Sequence, residues 1–204
     1  MRTLALLMLA SFTMSAYSAS KTILVLGDSL SAEYGLARGE GWVNLLQKKL
    51  EAEKITASIV NASISGETTS GGAARLQTLL DKHQPAVVVI ELGANDALRG
   101  LSLIATQQNL RNMVAAAKKA KARVLLIGMQ IPPNYGTDYT RQFADLFPKI
   151  AKESKSALVP FMLKDVADKA NPNLFQADRI HPSAEAHPII LNNIWPQLKP
   201  LLSK

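Results

Sequence analysis

Short apolar runs alternate along this chain with longer segments in which apolar residues recur every three or four positions. The short runs are rich in branched side chains and lack a polar face, which is typical of strands buried on both sides of a parallel sheet. The longer segments predict amphipathic helices between the strands. Five strands are predicted in this way, at 22–27, 56–62, 86–92, 123–129 and 156–162.

A further helix is predicted near the C-terminus, from about Ser183 to Leu202, but Pro188, Pro196 and Pro200 fall within it. Because proline interrupts helical hydrogen bonding, we expect this helix to be broken, short or late in starting. Strands that alternate with helices, with no repeat or linker, predict a single doubly wound domain. The apolar stripes of the earlier helices consist of Trp42, Leu45, Leu46 and Leu50, then Leu76, Leu79 and Leu80, then Leu110, Met113, Val114 and Ala117, and finally Phe143, Phe147 and Ile150.

The first 18 residues have the pattern of a secretory signal peptide. A positive charge at Arg2 precedes an apolar stretch, and the small residues Ala16 and Ser18 follow it, which places cleavage near Ser18 or Ala19. The alternative is a retained membrane anchor, but the stretch is shorter than the about 20 residues that span a bilayer. We therefore expect residues 19–204 to form the mature domain, located in the periplasm or secreted, without stable membrane insertion.

Composition excludes several classes of function. The 204 residues include no cysteine and only three histidines, so we expect neither disulfides nor a metal site. The formal net charge is +7, yet no basic run is long enough to indicate a nucleic-acid partner. The run KKAKAR at 118–123 fits the solvated C-terminal end of a helix.

Polar residues and glycines follow the predicted strands. Ser29 follows the first strand, Gly66 the second and Asn95 the third, while Asp178 and His181 follow the fifth on a longer loop. The carboxyl ends of parallel strands share one edge of a sheet, where such folds bind ligands. We therefore expect these five residues to lie together.

This set of side chains suits acyl transfer. A serine hydroxyl needs a base to accept its proton, and His181 could serve with Asp178 three residues before it. The backbone N–H groups of Ser29 and Gly66 and the Asn95 amide are the candidate donors to an oxyanion. His83 and His187 are the competing histidines, and His187 has no acid three residues before it. In the competing interpretation of the first strand end, Asp28 or Ser29 only caps the next helix.

The motifs GDSLS, NASISGET, GAND and DRIH resemble, in order and spacing, the four conserved blocks of the SGNH (GDSL) hydrolase family. The resemblance covers residue 22 to the C-terminus and is greatest with bacterial acyl thioesterases and lysophospholipases. It implies a flavodoxin-like three-layer α/β/α sandwich with a five-stranded parallel sheet. It also implies a broad esterase for acyl thioesters, aryl and alkyl esters and lysophospholipids, with no cofactor. By this resemblance Ser29, Asp178 and His181 form the triad, and Ser29, Gly66 and Asn95 the oxyanion hole.

Two positions depart from the family pattern, where Ala94 and Arg179 replace glycines. Arg179 costs little if its φ is negative and strains the turn if it is not. The leucines Leu76, Leu98 and Leu101 are candidates to line an acyl groove, although leucines at helical spacing also suit a core.

Two other functions remain open at this point. A carbohydrate O-deacetylase would use the same triad with a small acyl pocket, and a non-catalytic binding protein would use the fold alone. In each case we expect a monomer that takes a small-molecule substrate or ligand.

Overall fold

The computed structural model describes residues 21–167 and 171–203. The predicted signal peptide at 1–18 lies outside the described residues. None of the helices in those two ranges combines the length and apolarity that a membrane-spanning segment requires.

Five parallel strands form one sheet in the order β2-β1-β3-β4-β5, which confirms the predicted architecture. The last strand is shorter than predicted because Pro160 has no N–H with which to continue the ladder. The strands are β1 (Lys21–Gly27), β2 (Ala57–Asn61), β3 (Val87–Glu91), β4 (Arg123–Ile127) and β5 (Ala157–Val159).

Helices cover both faces of the sheet. One group consists of α1 (Trp42–Ala52) and α6 (His187–Leu198), which pack against each other. The other consists of α2 (Thr69–His83), α4 (Leu103–Lys119) and α5 (Thr137–Ser154), with α4 in contact with both neighbours. The result is the three-layer α/β/α sandwich that the sequence predicts.

The structure confirms the prediction for the C-terminal helix and contains one short helix that was not predicted. The C-terminal helix is short and late, as expected, because α6 begins at His187 and places Pro188 in its first turn, where proline is tolerated. One element was not predicted: the short helix α3 (Ala94–Leu98), which begins three residues after β3 ends. Its apolar pattern is too brief to show a helical period.

The core makes the edge of the sheet rigid. All five residues of β3 and the last five of β1 are buried, and Trp42, Phe143 and Phe147 are fully enclosed. The rings of Phe143 and Phe147 meet edge to face at 5.3 Å. The loops that follow β1 and β3 therefore start from fixed points.

Candidate active site

Ser29, His181 and Asp178 form a continuous hydrogen-bonded chain. The Ser29 Oγ lies 3.0 Å from His181 Nε2, and His181 Nδ1 lies 2.6 Å from Asp178 Oδ2. Ser29 comes from the loop after β1, whereas the other two come from the segment that precedes α6. The fold thus joins side chains 152 residues apart in sequence.

The carboxyl group of Asp178 is held by its own loop. Its Oδ1 accepts the backbone N–H groups of Ile180 at 2.9 Å and His181 at 3.0 Å. Burial opposes ionisation, but these bonds and the His181 ring outweigh it and lower the pKa of Asp178 to about 2. The carboxylate is therefore ionised across the physiological range and can only accept hydrogen bonds.

The charge on Asp178 selects the tautomer of His181. Since a carboxylate cannot donate, Nδ1 carries the proton of the neutral ring, and Nε2 is left as the acceptor facing the Ser29 hydroxyl. This is the arrangement in which histidine can act as a general base toward serine. The turn between them has one strained residue, because Arg179 has a φ of +57°.

The helix-capping interpretation of Asp28 and Ser29 is wrong. The next helix, α1, begins only at Trp42, and its N-cap residue is Gly41, which has no side chain with which to cap it. Asp28 instead receives the backbone N–H of Leu30 on Oδ1 and the amide of Asn95 on Oδ2, each at 3.1 Å. It therefore ties the Ser29 loop to the end of the third strand.

Two backbone donors at this edge are free. Within the described part of the chain, the N–H groups of Ser29 and Gly66 take part in no hydrogen bond. Gly66 has a φ of +77°, a conformation that favours glycine. Asn95 donates one amide hydrogen to Asp28 and has a second, so Ser29, Gly66 and Asn95 each retain one N–H donor without a partner among the described residues.

Sequence reasoning missed the buried carboxyl group of Glu91. It is 2% exposed at the end of β3, where its Oε2 accepts the Asp28 N–H at 3.2 Å and the Ser31 hydroxyl at 2.7 Å. Burial raises the pKa of Asp28 to about 6, and burial together with the Asp28 charge raises the pKa of Glu91 well above its usual value. The sequence does contain a signal for this group, because a single acidic residue ends an otherwise apolar strand.

The two competing histidines, His83 and His187, lie elsewhere in the fold. His187 is 2% exposed and its Nδ1 accepts the backbone N–H of Trp42 at 3.0 Å, so it caps the start of α1. Burial lowers the pKa of His187. His83 ends α2 just before β3 begins, at the opposite edge of the sheet. Neither faces Ser29.

The three candidate groove leucines differ in exposure. Leu76 is 1% exposed in the core, so its side chain offers no surface to a substrate and serves packing. Leu98 is half-buried against the core, and Leu101 is 45% exposed. Leu98 and Leu101, which follow the third strand, therefore have solvent-accessible side-chain surface, whereas Leu76 has almost none.

An aromatic contact to the triad was also not predicted. The ring of Tyr34 lies 4.3 Å from the His181 ring, centroid to centroid, with 38° between the planes. The large hydrophobic side chains that the described residues expose all follow strands at this edge or lie beside His181, namely Tyr34, Ile64, Leu101, Ile104, Tyr135 and Ile180.

Among the described residues, no group of three or more His, Cys, Asp or Glu side chains is arranged to hold a metal ion. The chemistry that the site offers is that of a hydrogen-bonded serine, histidine and aspartate beside unpaired N–H donors.

Comparison with known proteins identifies the family to which this chain belongs. Residues 25–189 match the GDSL-like lipase/acylhydrolase family. Esterase TesA of Pseudomonas aeruginosa is 49% identical over 194 residues, which is 95% of this chain and 96% of that protein. The thioesterase 1/protease 1/lysophospholipase L1 of Escherichia coli K12 is 43% identical, over 91% of this chain and 87% of its own. A crystal structure of TesA superposes with a TM-score of 0.86 at 50% identity, covering 89% of this chain and all of that one.

Proposed function

Since this chain belongs to the GDSL-like lipase/acylhydrolase family and is a hydrolase of ester bonds, we propose that it cleaves acyl esters and thioesters through an acyl-enzyme on Ser29. The observation that carries the proposal is the 3.0 Å contact between Ser29 Oγ and His181 Nε2, with Asp178 2.6 Å behind the ring. Nucleophile, base and orienting acid are thus within direct reach of one another.

In the first half-reaction Ser29 Oγ attacks the carbonyl carbon of the substrate, and His181 Nε2 takes the hydroxyl proton. The negative charge that develops on the carbonyl oxygen is held by the N–H groups of Ser29 and Gly66 and by the Asn95 amide. When the intermediate collapses, the bond to the leaving oxygen or sulfur breaks, and His181 returns the proton to that atom. The acyl group remains as an ester on Ser29.

The second half-reaction repeats these roles with water. His181 takes a proton from the water as its oxygen attacks the acyl carbon, and the same three donors hold the oxyanion. Collapse releases the carboxylic acid, and the proton returns to Ser29 Oγ. Asp178 stays ionised throughout and stabilises the imidazolium of both steps.

Acyl chains are the substrate class that the surface favours. The exposed Tyr34, Ile64, Leu101 and Ile180 border the edge that carries Ser29, where they can cover apolar chain carbons. We assign Leu98 and Leu101 to the acyl side of this surface. Fatty acyl thioesters, aryl and alkyl esters and lysophospholipids are the proposed substrates, in keeping with the names of the relatives.

We also propose that the protein acts outside the cytoplasm. The support is the N-terminal pattern around Arg2 and Ala16, which is typical of a cleaved leader. Mass spectrometry of the protein recovered from the periplasm of an expressing cell tests this directly. A mass that begins at Ala19 or Ser20 agrees with cleavage, and a mass that includes Met1 contradicts it.

Hydrolysis of p-nitrophenyl esters, from acetate to palmitate, tests the enzymatic proposal. We expect wild-type activity on chains longer than acetate, and a loss of at least about 10³-fold in Ser29→Ala, because the triad acts through the serine oxygen. Ser63→Ala, at the same edge of the sheet but outside the triad, is the matched control. Activity that survives in Ser29→Ala overturns the triad, and a strict preference for acetate favours a deacetylase.

A further inference from the structure

Two side chains at α3 contact residues of the proposed oxyanion hole or its neighbours. Asn95 lies in the helix, and Arg99, four residues later, is its C-cap, so the two lie on the same side of this segment. The Asn95 amide donates to Asp28 beside the nucleophile, whereas Arg99 Nη2 donates to the backbone carbonyl of Gly66 at 2.9 Å. The segment 95–99 thus contacts Asp28, which precedes the proposed donor Ser29, and Gly66, which is itself a proposed donor.

The Gly66 turn depends on few contacts. The N–H of Glu67 closes it on the carbonyl of Ile64 at 3.1 Å, and the N–H of Ile64 anchors it to the carbonyl of Gly27 at 3.0 Å. Gly66 occupies the third position with a φ of +77°, the value of a type II turn. The peptide that carries the Gly66 N–H is therefore the central peptide of a surface turn.

The buried contacts of α3 stop short of this turn. Asp96 accepts the Thr69 N–H at 2.8 Å and its hydroxyl at 2.5 Å, which ties α3 to the first residue of α2. Thr69 lies three residues beyond Gly66, so these bonds do not contact the Gly66 peptides directly. Within the described residues, Arg99 supplies the only side-chain hydrogen bond to Gly66.

In the described ranges the guanidinium of Arg99 forms no hydrogen bond other than the one to Gly66. It is exposed, and no carboxylate there forms an ion pair with it. Its Nη2 also sits 3.3 Å from the point that a Cβ on Gly66 would occupy. The side chain therefore lies directly over the glycine.

We propose that Arg99 is a positioning residue that fixes the Gly66 turn, so that α3 sets the distance between the Asn95 and Gly66 donors. This inference rests on the proposed role of Gly66 in the oxyanion hole. Oxyanion donors act only when they lie about 2.7–3.1 Å from the charged oxygen, and a misplacement near 1 Å can cost up to about 10²-fold in rate. A mobile Gly66 peptide would therefore lower kcat without weakening substrate binding.

The test compares Arg99→Ala and Arg99→Lys with Arg38→Ala, which removes an equal charge from an exposed position on a loop of the same edge. The readouts are kcat and KM for the uncharged ester p-nitrophenyl butyrate and for a lysophosphatidylcholine, together with the melting temperature. We expect Arg99→Ala to lose about tenfold in kcat on both substrates, with KM and melting temperature unchanged. Arg99→Lys should recover part of the loss, and Arg38→Ala should resemble the wild type.

Three results overturn the proposal: an unchanged kcat in Arg99→Ala, a loss confined to the phosphate-bearing substrate, or an equal loss in Arg38→Ala. The second result would make Arg99 an anion-binding residue instead. A double-mutant cycle with Gly66→Ala adds an independent check, because the two losses in kcat should combine to less than their product if Arg99 acts through Gly66. Full activity in Ser29→Ala would instead mean that the proposed function, not this inference, has failed.

Discussion

The backbone N–H of Asp28, one residue before the proposed nucleophile Ser29, donates to the buried carboxyl oxygen Oε2 of Glu91 across 3.2 Å. Glu91 stands beside Gly27 in the register of the neighbouring strand, and a Cβ on Gly27 would lie 2.7 Å from the same oxygen. The Ser31 side chain would lie within 2.9 Å of the same point, so the Glu91 and Ser31 side chains together leave no room for a side chain at position 27. Two carboxyl groups share this apolar site, so they cannot both ionise without cost.

Glu91→Gln should make stability less sensitive to pH. Burial raises the folded-state pKa of Asp28 from 3.8 to about 6, and burial together with the Asp28 charge raises the pKa of Glu91 well above its usual value. The folded protein thus keeps protons that the unfolded chain releases, and stability falls as pH rises from about 4 through 6 and beyond. Urea unfolding at pH 5 and pH 8 measures this fall, which should be smaller in Glu91→Gln than in the wild type.

Glu91→Ala provides the contrasting variant. It leaves the Asp28 N–H and the Ser31 hydroxyl without their acceptor in a buried site, which should cost about 1–3 kcal/mol of unfolding free energy for each unsatisfied group. Glu51→Gln, on the exposed face of α1, is the control for loss of charge alone. Equal pH dependence in Glu91→Gln and the wild type would show that the pair does not hold an extra proton.

The strand ends were predictable because two simple rules coincide there. Buried parallel strands have continuous apolar runs, and their carboxyl ends share an edge, so the placement of Ser29, Asn95 and His181 follows from the pattern alone. Glu91 and Arg99 could not be assigned in the same way. Their roles depend on which strands and turns become neighbours, namely β3 beside β1 and α3 beside the Gly66 turn.

The leucine prediction failed in part for a related reason. A helical period places Leu76 on a stripe but does not say whether the stripe faces the sheet or a groove. The sign of φ at Arg179 is likewise set by the folded loop. The sequence shows only that an arginine replaces the family's glycine there, which does not determine whether φ is positive or negative.

His187→Ala should destabilise the protein while sparing its chemistry. The variant removes the acceptor of the Trp42 N–H at the start of α1, a buried bond whose loss should cost about 1–3 kcal/mol. Burial lowers the folded-state pKa of His187, so the unfolded chain binds a proton first and wild-type stability falls as pH decreases through 6.5. This acid-side loss should diminish in His187→Ala.

Kinetics at 20 °C separate the two histidines. The kcat of His187→Ala for p-nitrophenyl butyrate should stay within about twofold of wild type, whereas that of His181→Ala should drop by at least about 10³-fold. A collapse of kcat in a folded His187→Ala protein would contradict the assignment of His181 as the base.

Arg179→Gly should stabilise the loop that holds the triad acid. A non-glycine residue in the left-handed region costs about 1–2 kcal/mol, and glycine regains most of this while losing about 0.5–1 kcal/mol to the entropy of the unfolded chain. We expect a net gain of up to about 1 kcal/mol in urea unfolding. Lys54→Gly, with a φ of +55° far from the site, is the matched control and should gain a similar amount.

The outcome for Arg179 also decides whether its side chain has a task at the triad. If the substitution gains stability and leaves kcat/KM unchanged, the arginine is tolerated rather than used. A loss of stability in Arg179→Gly, with the expected gain in Lys54→Gly, would show that contacts of the side chain outweigh the backbone strain.

Tyr34→Leu should slow catalysis modestly by removing the ring that lies 4.3 Å from His181. The face of an aromatic ring stabilises a neighbouring cation by about 0.5–1 kcal/mol at exposed sites, and His181 becomes a cation in both half-reactions of the proposed mechanism. The expected result is a loss of about two- to fivefold in kcat for p-nitrophenyl butyrate. Tyr34→Phe keeps the ring and should retain the rate.

Tyr135→Leu is the control, since it removes an exposed aromatic ring from a loop at the same edge. An equal loss in Tyr34→Leu and Tyr135→Leu would mean that both rings contact the acyl chain and that Tyr34 does not act on the imidazolium.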